Sequence, residues 1–277
     1  MRLIVTADDL GLHRGMNEGA VRAHEHGIVT AVSISACGNA VDHAIELVAG
    51  CSRLEAGIHL TFVEERPVLP AREVPSLVGR DGRFPGSWRA VAVRALAGRV
   101  DLDELEAELR AQIERLRSSG VTLVHANSHQ HLHLLPGVFE RVVRVAREAG
   151  IGYLRIANDP IPPLAIGPRA WALRVLNAAG RKARRQLAGS FATASATIGL
   201  ARAGHLDEAT LTGLLATVRV TTELVTHPGI GGDSIARDFA WGYDWDRETE
   251  ALCATGVARV IADRGIELIG PTKIGSG

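Results

Sequence analysis

Strand-length apolar runs alternating with helical patterns constrain this 277-residue chain more than any other feature. The runs cover 2–7, 29–36, 54–60, 121–125, 152–156, 221–226 and 266–269, and they are short, with β-branched residues among them. Helical patterns fit between them at 15–26, 40–49, 101–118, 137–148, 206–218 and 246–264. Gly27, Gly50 and Gly120 stand just past three of these, where helices end. Asp101 with Glu104 forms an N-terminal capping signature. Such β–α alternation calls for a parallel sheet. About seven units in one α/β chain predict a single irregular (β/α) barrel, TIM-barrel-like, spanning residues 1–277. Hydrophobic content of 46% is ample for its core.

Two stretches break the rhythm. Residues 62–100 carry Pro67, Pro70, Pro75 and Pro85 and read as a long rim or lid loop. Residues 160–206 hold no acid but seven basic residues, Arg169, Arg174, Arg181, Lys182, Arg184, Arg185 and Arg202, and read as a basic helical insertion. No apolar run reaches the roughly 18 residues that span a membrane. The chain opens on a strand rather than a basic and apolar leader, so a cytoplasmic protein is expected. Cys37, Cys51 and Cys253 are widely spaced and read as free thiols. A net charge of zero gives no global sign of a nucleic-acid partner.

In a barrel of this kind the chemistry sits at the C-terminal ends of the strands, and the polar candidates fall there in turn. Asp8 and Asp9 end the first run, and His59 ends the third. The cluster His125, His129, His131 and His133 follows the fourth, Arg155 ends the fifth and His227 the sixth. Strand side chains alternate faces, so adjacent acids serve one site only if the chain is already turning. An extended chain would place His129, His131 and His133 on one face. Two histidines and a carboxylate with open positions make a catalytic metal arrangement, which Asp9, His59 and His129 would supply. Asp8 would act as general base, His227 would protonate a leaving amine, and Arg155 would fix Asp8 through a bidentate pair. Plainer readings stand beside these. An acid pair can cap a helix, a lone His59 can be a hydrogen-bonded core residue, and Arg155 can be a surface ion-pair partner. A two-metal phosphoesterase and a non-catalytic sugar or lipid carrier draw on similar residues.

Four ordered motifs, Thr6-Ala-Asp-Asp-Leu-Gly11, Gly57-Ile-His-Leu-Thr61, Asn127-Ser-His-Gln-His-Leu-His133 and Thr226-His-Pro-Gly229, resemble those of the YdjC/ChbG-like carbohydrate deacetylases along nearly the whole chain. Within that group the stretch from His125 to Pro136 is most similar to the hopanoid-biosynthesis-associated members. The resemblance implies a (β/α)-barrel that removes N-acetyl groups from amino sugars. It implies one divalent metal ion, magnesium or zinc, on Asp9, His59 and His129, with Asp8 as base. The roles of His227 and Arg155 follow by analogy with NodB-type polysaccharide deacetylases, and His125, His131 and His133 are the substrate-contact candidates. Two departures stand out. The commoner Asp-Asp-Phe-Gly has Leu10 here, a packing change, and the common Asp-Ser-His has Asn127, which removes a negative charge near the metal.

The hopanoid likeness implies N-acetylglucosamine on a triterpenoid lipid as substrate, with soluble chitooligosaccharides as the alternative. Peripheral contact with the inner face of the membrane and a homodimer belong to the same expectation. A helix at about 168–188, carrying Trp171, Leu173, Val175 and Leu176 among its cations, would rest on an anionic membrane or cover the lipid tail. The other reading of that helix is a barrel helix with a basic outer face.

Overall fold

Strand β1 (Arg2–Leu10) runs through the middle of the sheet with every residue but Arg2 buried. This is the pattern of a parallel strand covered on both faces. The computed structural model describes residues 1–161, 166–187 and 189–275. The other strands are β2 (Ala31–Ile34), β3 (Glu55–Leu60), β4 (His125–Ser128), β5 (Tyr153–Leu154), β6 (Ala196–Ile198), β7 (Thr222–Thr226) and β8 (Glu267–Leu268). All pairings are parallel, in the order β5-β4-β3-β2-β1-β7-β6, and the short β8 adds to the start of β1 at Arg2 and Leu3. Tyr153 of β5 also makes an isolated parallel bridge to Ala192, on the segment that leads into β6, while the curled path stays open between β5 and β6. The result is the expected irregular seven-stranded (β/α) barrel.

The helices are α1 (Arg14–Glu25), α2 (Val41–Ala49), α3 (Trp88–Leu96), α4 (Leu102–Ser118), α5 (Val138–Glu148), α6 (Pro168–Leu187), α7 (Glu208–Leu215), α8 (Gly232–Asp238), α9 (Trp245–Leu252) and α10 (Thr255–Asp263). Helix α5 buries Val138, Phe139, Val142, Val145 and Ala146, the spacing of one helical face. Asp101 caps α4 by accepting from the Asp103 and Glu104 amides. Glu104 does not reach back to it, because its carboxylate accepts from the Ser76 amide of the long rim connection.

The structure departs from the sequence expectations in four places. Strand β4 lies at 125–128, beyond the expected 121–125, so Asn127 is a strand residue and His129 follows it directly. The three-residue β6 falls inside the basic stretch, which makes α6 the crossover between β5 and β6. The rim stretch 62–100 contains α3, and the expected helix 246–264 divides into α9 and α10 around Cys253 and Ala254. Among the described residues no helix is long and apolar enough to cross a membrane.

Candidate active site

The backbone at the end of β1 solves the problem of the adjacent acids. Asp9 has φ +69°, and the pairing of β1 with β2 shifts register between Ala7 and Leu10. This bulge turns Asp9 out of the pleat, so Asp8 and Asp9 both join the strand-end site.

Asp9 Oδ1 lies 3.1 Å from His59 Nε2 and 2.9 Å from His129 Nδ1, and those two nitrogens are 3.3 Å apart. Edges of about 3 Å are those of a coordination polyhedron with bonds of about 2 Å. All three residues are buried. The opposite nitrogen of each imidazole is already engaged. His59 Nδ1 donates to Asn127 Oδ1 at 2.7 Å, and His129 Nε2 faces Glu64 Oε2 at 3.5 Å. Such contacts fix tautomer and ring orientation in metal sites. Burial works to lower His129, yet the Asp9 carboxylate and Glu64 outweigh it and raise it to about 10. Burial would likewise raise Asp9, but His129 and His59 hold it well below the usual carboxylate range. The donors, their spacing and this demand for positive charge fit a single divalent cation, magnesium or zinc, on Asp9, His59 and His129.

Asp8 sits beside this set in a buried ion network. Arg155 Nη1 and Nη2 donate to its two oxygens, and Ser33 Oγ (2.7 Å) and Asn127 Nδ2 (3.0 Å) also donate to Oδ1. Burial alone would raise Asp8, but the Arg155 guanidinium, with His59 and His227, holds it far below the ordinary range. Arg155 also donates from Nε to Glu223 Oε1 at 2.9 Å. Glu223 in turn accepts from Thr6 Oγ1 (2.8 Å) and the Tyr153 hydroxyl (2.7 Å). Asn127 explains the departure from Asp-Ser-His: its amide donates to Asp8 and accepts from His59, where a carboxylate would face Asp8 Oδ1 with like charge.

The histidines after β4 do not share one face, as an extended chain would require. Gln130 and His131 have φ +53° and +56°, and residues 129–134 form a tight coil. Ser128 Oγ closes it, accepting from the His133 amide (2.9 Å) and meeting His133 Nδ1 at 2.7 Å. His133 Nε2 donates to the Arg155 carbonyl at 2.9 Å. His125 is fully buried, donates from Nε2 to the Val32 carbonyl, and lies so close to Gly57 that a Cβ there would meet its ring. Burial pushes both His125 and His133 down to about 4, so they are neutral. His131 is half-buried, and its Nδ1 has no partner.

His227 stands after β7 with Nε2 4.0 Å from Asp9 Oδ2, and its Nδ1 also has no partner. Burial lowers it, and Asp9 and Asp8 pull the other way. Its amide donates at 2.6 Å to Glu248 Oε1 on α9, a buried carboxylate that burial raises to about 8.

Several residues of the site had escaped sequence reasoning. Glu223 offered a signal, as a charge inside the buried run Thr-Thr-Glu-Leu-Val-Thr. A second signal is Phe239-Ala-Trp241-Gly-Tyr243-Asp-Trp245, four alternating aromatics in a chain only 4% aromatic. Trp241 lies 5.2 Å from the His129 ring and Tyr243 5.3 Å from the His227 ring. Ser33 and Glu64 carried no such mark.

A buried Asp-His-His donor set at the strand ends of a (β/α) barrel, joined to a locked carboxylate, defines a metal-dependent hydrolase. The model of the YdjC-like protein family matches residues 2–263, and the chain belongs to that family. A human carbohydrate deacetylase is 33% identical over 298 residues, covering 97% of this chain and 89% of its own length. A chitooligosaccharide deacetylase of Salmonella paratyphi B is 32% identical over 273 residues, 95% of each chain. The crystal structure of an Enterococcus faecalis V583 protein named for cellobiose-phosphate cleavage superposes with a TM-score of 0.75 at 24% identity, over 98% of this chain and 97% of that one. The last is a likeness of fold. None of these matches sets apart the hopanoid-associated members.

Proposed function

We propose that the chain is a metal-dependent N-deacetylase of acetylated amino sugars, with small chitooligosaccharides as its substrate class. One observation carries the reading: the Asp9–His59–His129 donor set shares its strand-end site with an ionised Asp8 and with His227. The human and Salmonella relatives, named as carbohydrate and chitooligosaccharide deacetylases, support the choice of substrate.

A divalent cation on those donors would lower the pKa of a bound water and polarise the acetyl oxygen. Asp8 takes the proton of the attacking water, and Arg155 holds its carboxylate ionised and oriented. A base this weak suffices only where the water is itself acidified. His227, with an unpartnered Nδ1, gives a proton to the leaving nitrogen; burial holds its proton affinity below the ordinary value, and Asp9 and Asp8 offset only part of that loss. The amide C–N bond breaks, leaving acetate and a free amine. His131, half-buried, is the one of the three histidines left as a substrate-contact candidate. His125 and His133 act through the backbone carbonyls of Val32 and Arg155 that they hold.

The test is acetate release from N,N′-diacetylchitobiose by zinc- or magnesium-reconstituted protein. Asp8→Asn should cut kcat by about 10²–10⁴-fold while the metal stays bound. Near-wild-type turnover by that variant would remove Asp8 from the base role. No release by the wild type would favour the phosphoesterase or carrier readings.

A lipid-linked amino sugar is the second reading, favoured by a mostly apolar cleft of about 800 Å³ whose lining includes Ile161, Ile166, Leu173, Ile198 and Leu214. Trp171 and Val175 are exposed on α6, as are Arg181, Lys182 and Arg185. Arg184 is not available to a membrane in the same way, since it donates to Thr193 and to the Ala194 carbonyl. Acetate release from hopanoid-linked N-acetylglucosamine and not from diacetylchitobiose would select this reading.

A further inference from the structure

We infer that the aromatic segment 239–245 is the sugar-binding wall of the site, with Trp241 and Tyr243 stacking on the reacting pyranose and Phe239 on the next sugar. The inference rests on the amino-sugar reading above and names the residues that would recognise the sugar.

The segment is firmly seated. Trp245 is buried, and a Cβ on Gly229 would meet its side chain. The Tyr243 ring lies where a Cβ on Gly204 would stand. From that anchor the rings climb toward the donor set. Tyr243 stands beside His227, and Trp241 lies 5.6 Å from Tyr243 and tilted by 35° against His129. Both rings remain half-exposed, unlike Trp245. Glu64 Oε2 accepts from the Trp241 indole N–H at 3.2 Å and also faces His129 Nε2. One carboxylate therefore ties the indole to a metal-ligating imidazole.

A pyranose presents an apolar face of C–H groups, which an aromatic face accepts through dispersion and its negative quadrupole. Partly exposed rings beside His129 and His227 are the partners such a face needs. Phe239 continues the wall 4.8 Å beyond Trp241. It borders an open cleft of about 840 Å³ whose lining includes His13, Asn39, Arg83 and Arg237, which can meet hydroxyl groups. The order of the rings fixes a direction: the acetamide-bearing sugar at Trp241 and Tyr243, its neighbour at Phe239.

Titration calorimetry of the zinc-loaded protein with chitobiose, the fully deacetylated disaccharide, tests this without relying on turnover. Trp241→Ala should weaken chitobiose about tenfold with one zinc per chain retained, and Trp241→Phe, which keeps a ring, should recover most of that loss. Phe239→Ala should weaken chitobiose and leave glucosamine binding unchanged. Unchanged chitobiose binding by Trp241→Ala would overturn the inference. So would zinc loss in step with the loss of sugar, or a Trp241→Phe variant as weak as Trp241→Ala, since either would make the indole a prop for His129 and Glu64. A wild type that does not bind chitobiose would overturn it too. Intact binding by the wild type without acetate release from diacetylchitobiose would instead sink the deacetylase reading and leave the wall standing.

Discussion

Below the metal-ligating atoms, Arg155, Asp8, Glu223, Tyr153 and Thr6 are buried and exchange hydrogen bonds among strands β1, β5 and β7. Above them, Glu64, Trp241, Tyr243 and His227 are partly exposed and come from the connections between strands. The floor holds charge in place through desolvated pairs, which are strong only while complete. The rim holds rings and a carboxylate by packing and single hydrogen bonds, which adapt to a ligand. Orientation of Asp8 thus belongs to the barrel, and under the reading proposed above the choice of substrate belongs to the loops.

The largest break in this contrast should come from Arg155→Met. It leaves Asp8 and Glu223 buried without their cation, and urea unfolding should report a loss of about 3–5 kcal/mol. A loss below about 1 kcal/mol would mean the floor is no lock. At the rim, Glu64→Gln should leave the urea midpoint near wild type and weaken zinc about tenfold, because His129 Nε2 loses its carboxylate. Competition with a chelating dye measures it, and unchanged affinity would show that Glu64 serves only Trp241. A third test falls on Glu248, whose carboxylate accepts from the His227 amide. Its carboxyl titrates at about 8 when folded, against an ordinary 4.5. Between those values the folded chain keeps a proton that the unfolded chain has lost. Its contribution to stability therefore falls as pH rises toward 8. Relative to Glu248→Gln, the wild type should lose unfolding free energy between pH 5.5 and 8.5, and parallel pH profiles would refute the assignment.

The donors were legible because each ends a strand within a short local motif, and a parallel barrel gathers strand ends by construction. Arg155 and Asp8 could be paired from their strand-end positions although 147 residues separate them, whereas Glu223, 68 residues from Arg155, was not foreseen as its second partner. Strand β6 escaped because three residues between Ser195 and Gly199 carry almost no periodicity. The coil at 129–134 escaped for another reason: Gln130 and His131 adopt a left-handed backbone that favours glycine, asparagine and aspartate, and nothing in their side chains announces it. For the same reason the expected face of three histidines gave way to one ligand, one half-buried ring and one backbone clamp.

The bulge at Asp9 bears on whether this centre could be moved elsewhere. A designer who copies Asp-Asp onto the end of a regular strand sends the two carboxylates to opposite faces, and one is then trapped between sheet and helix. The transferable unit is therefore larger than its donors: it includes the extra residue in β1, the β2 register that receives it and the left-handed turn of the second acid. Few side chains tolerate that backbone, and fewer still bring a charged oxygen to it.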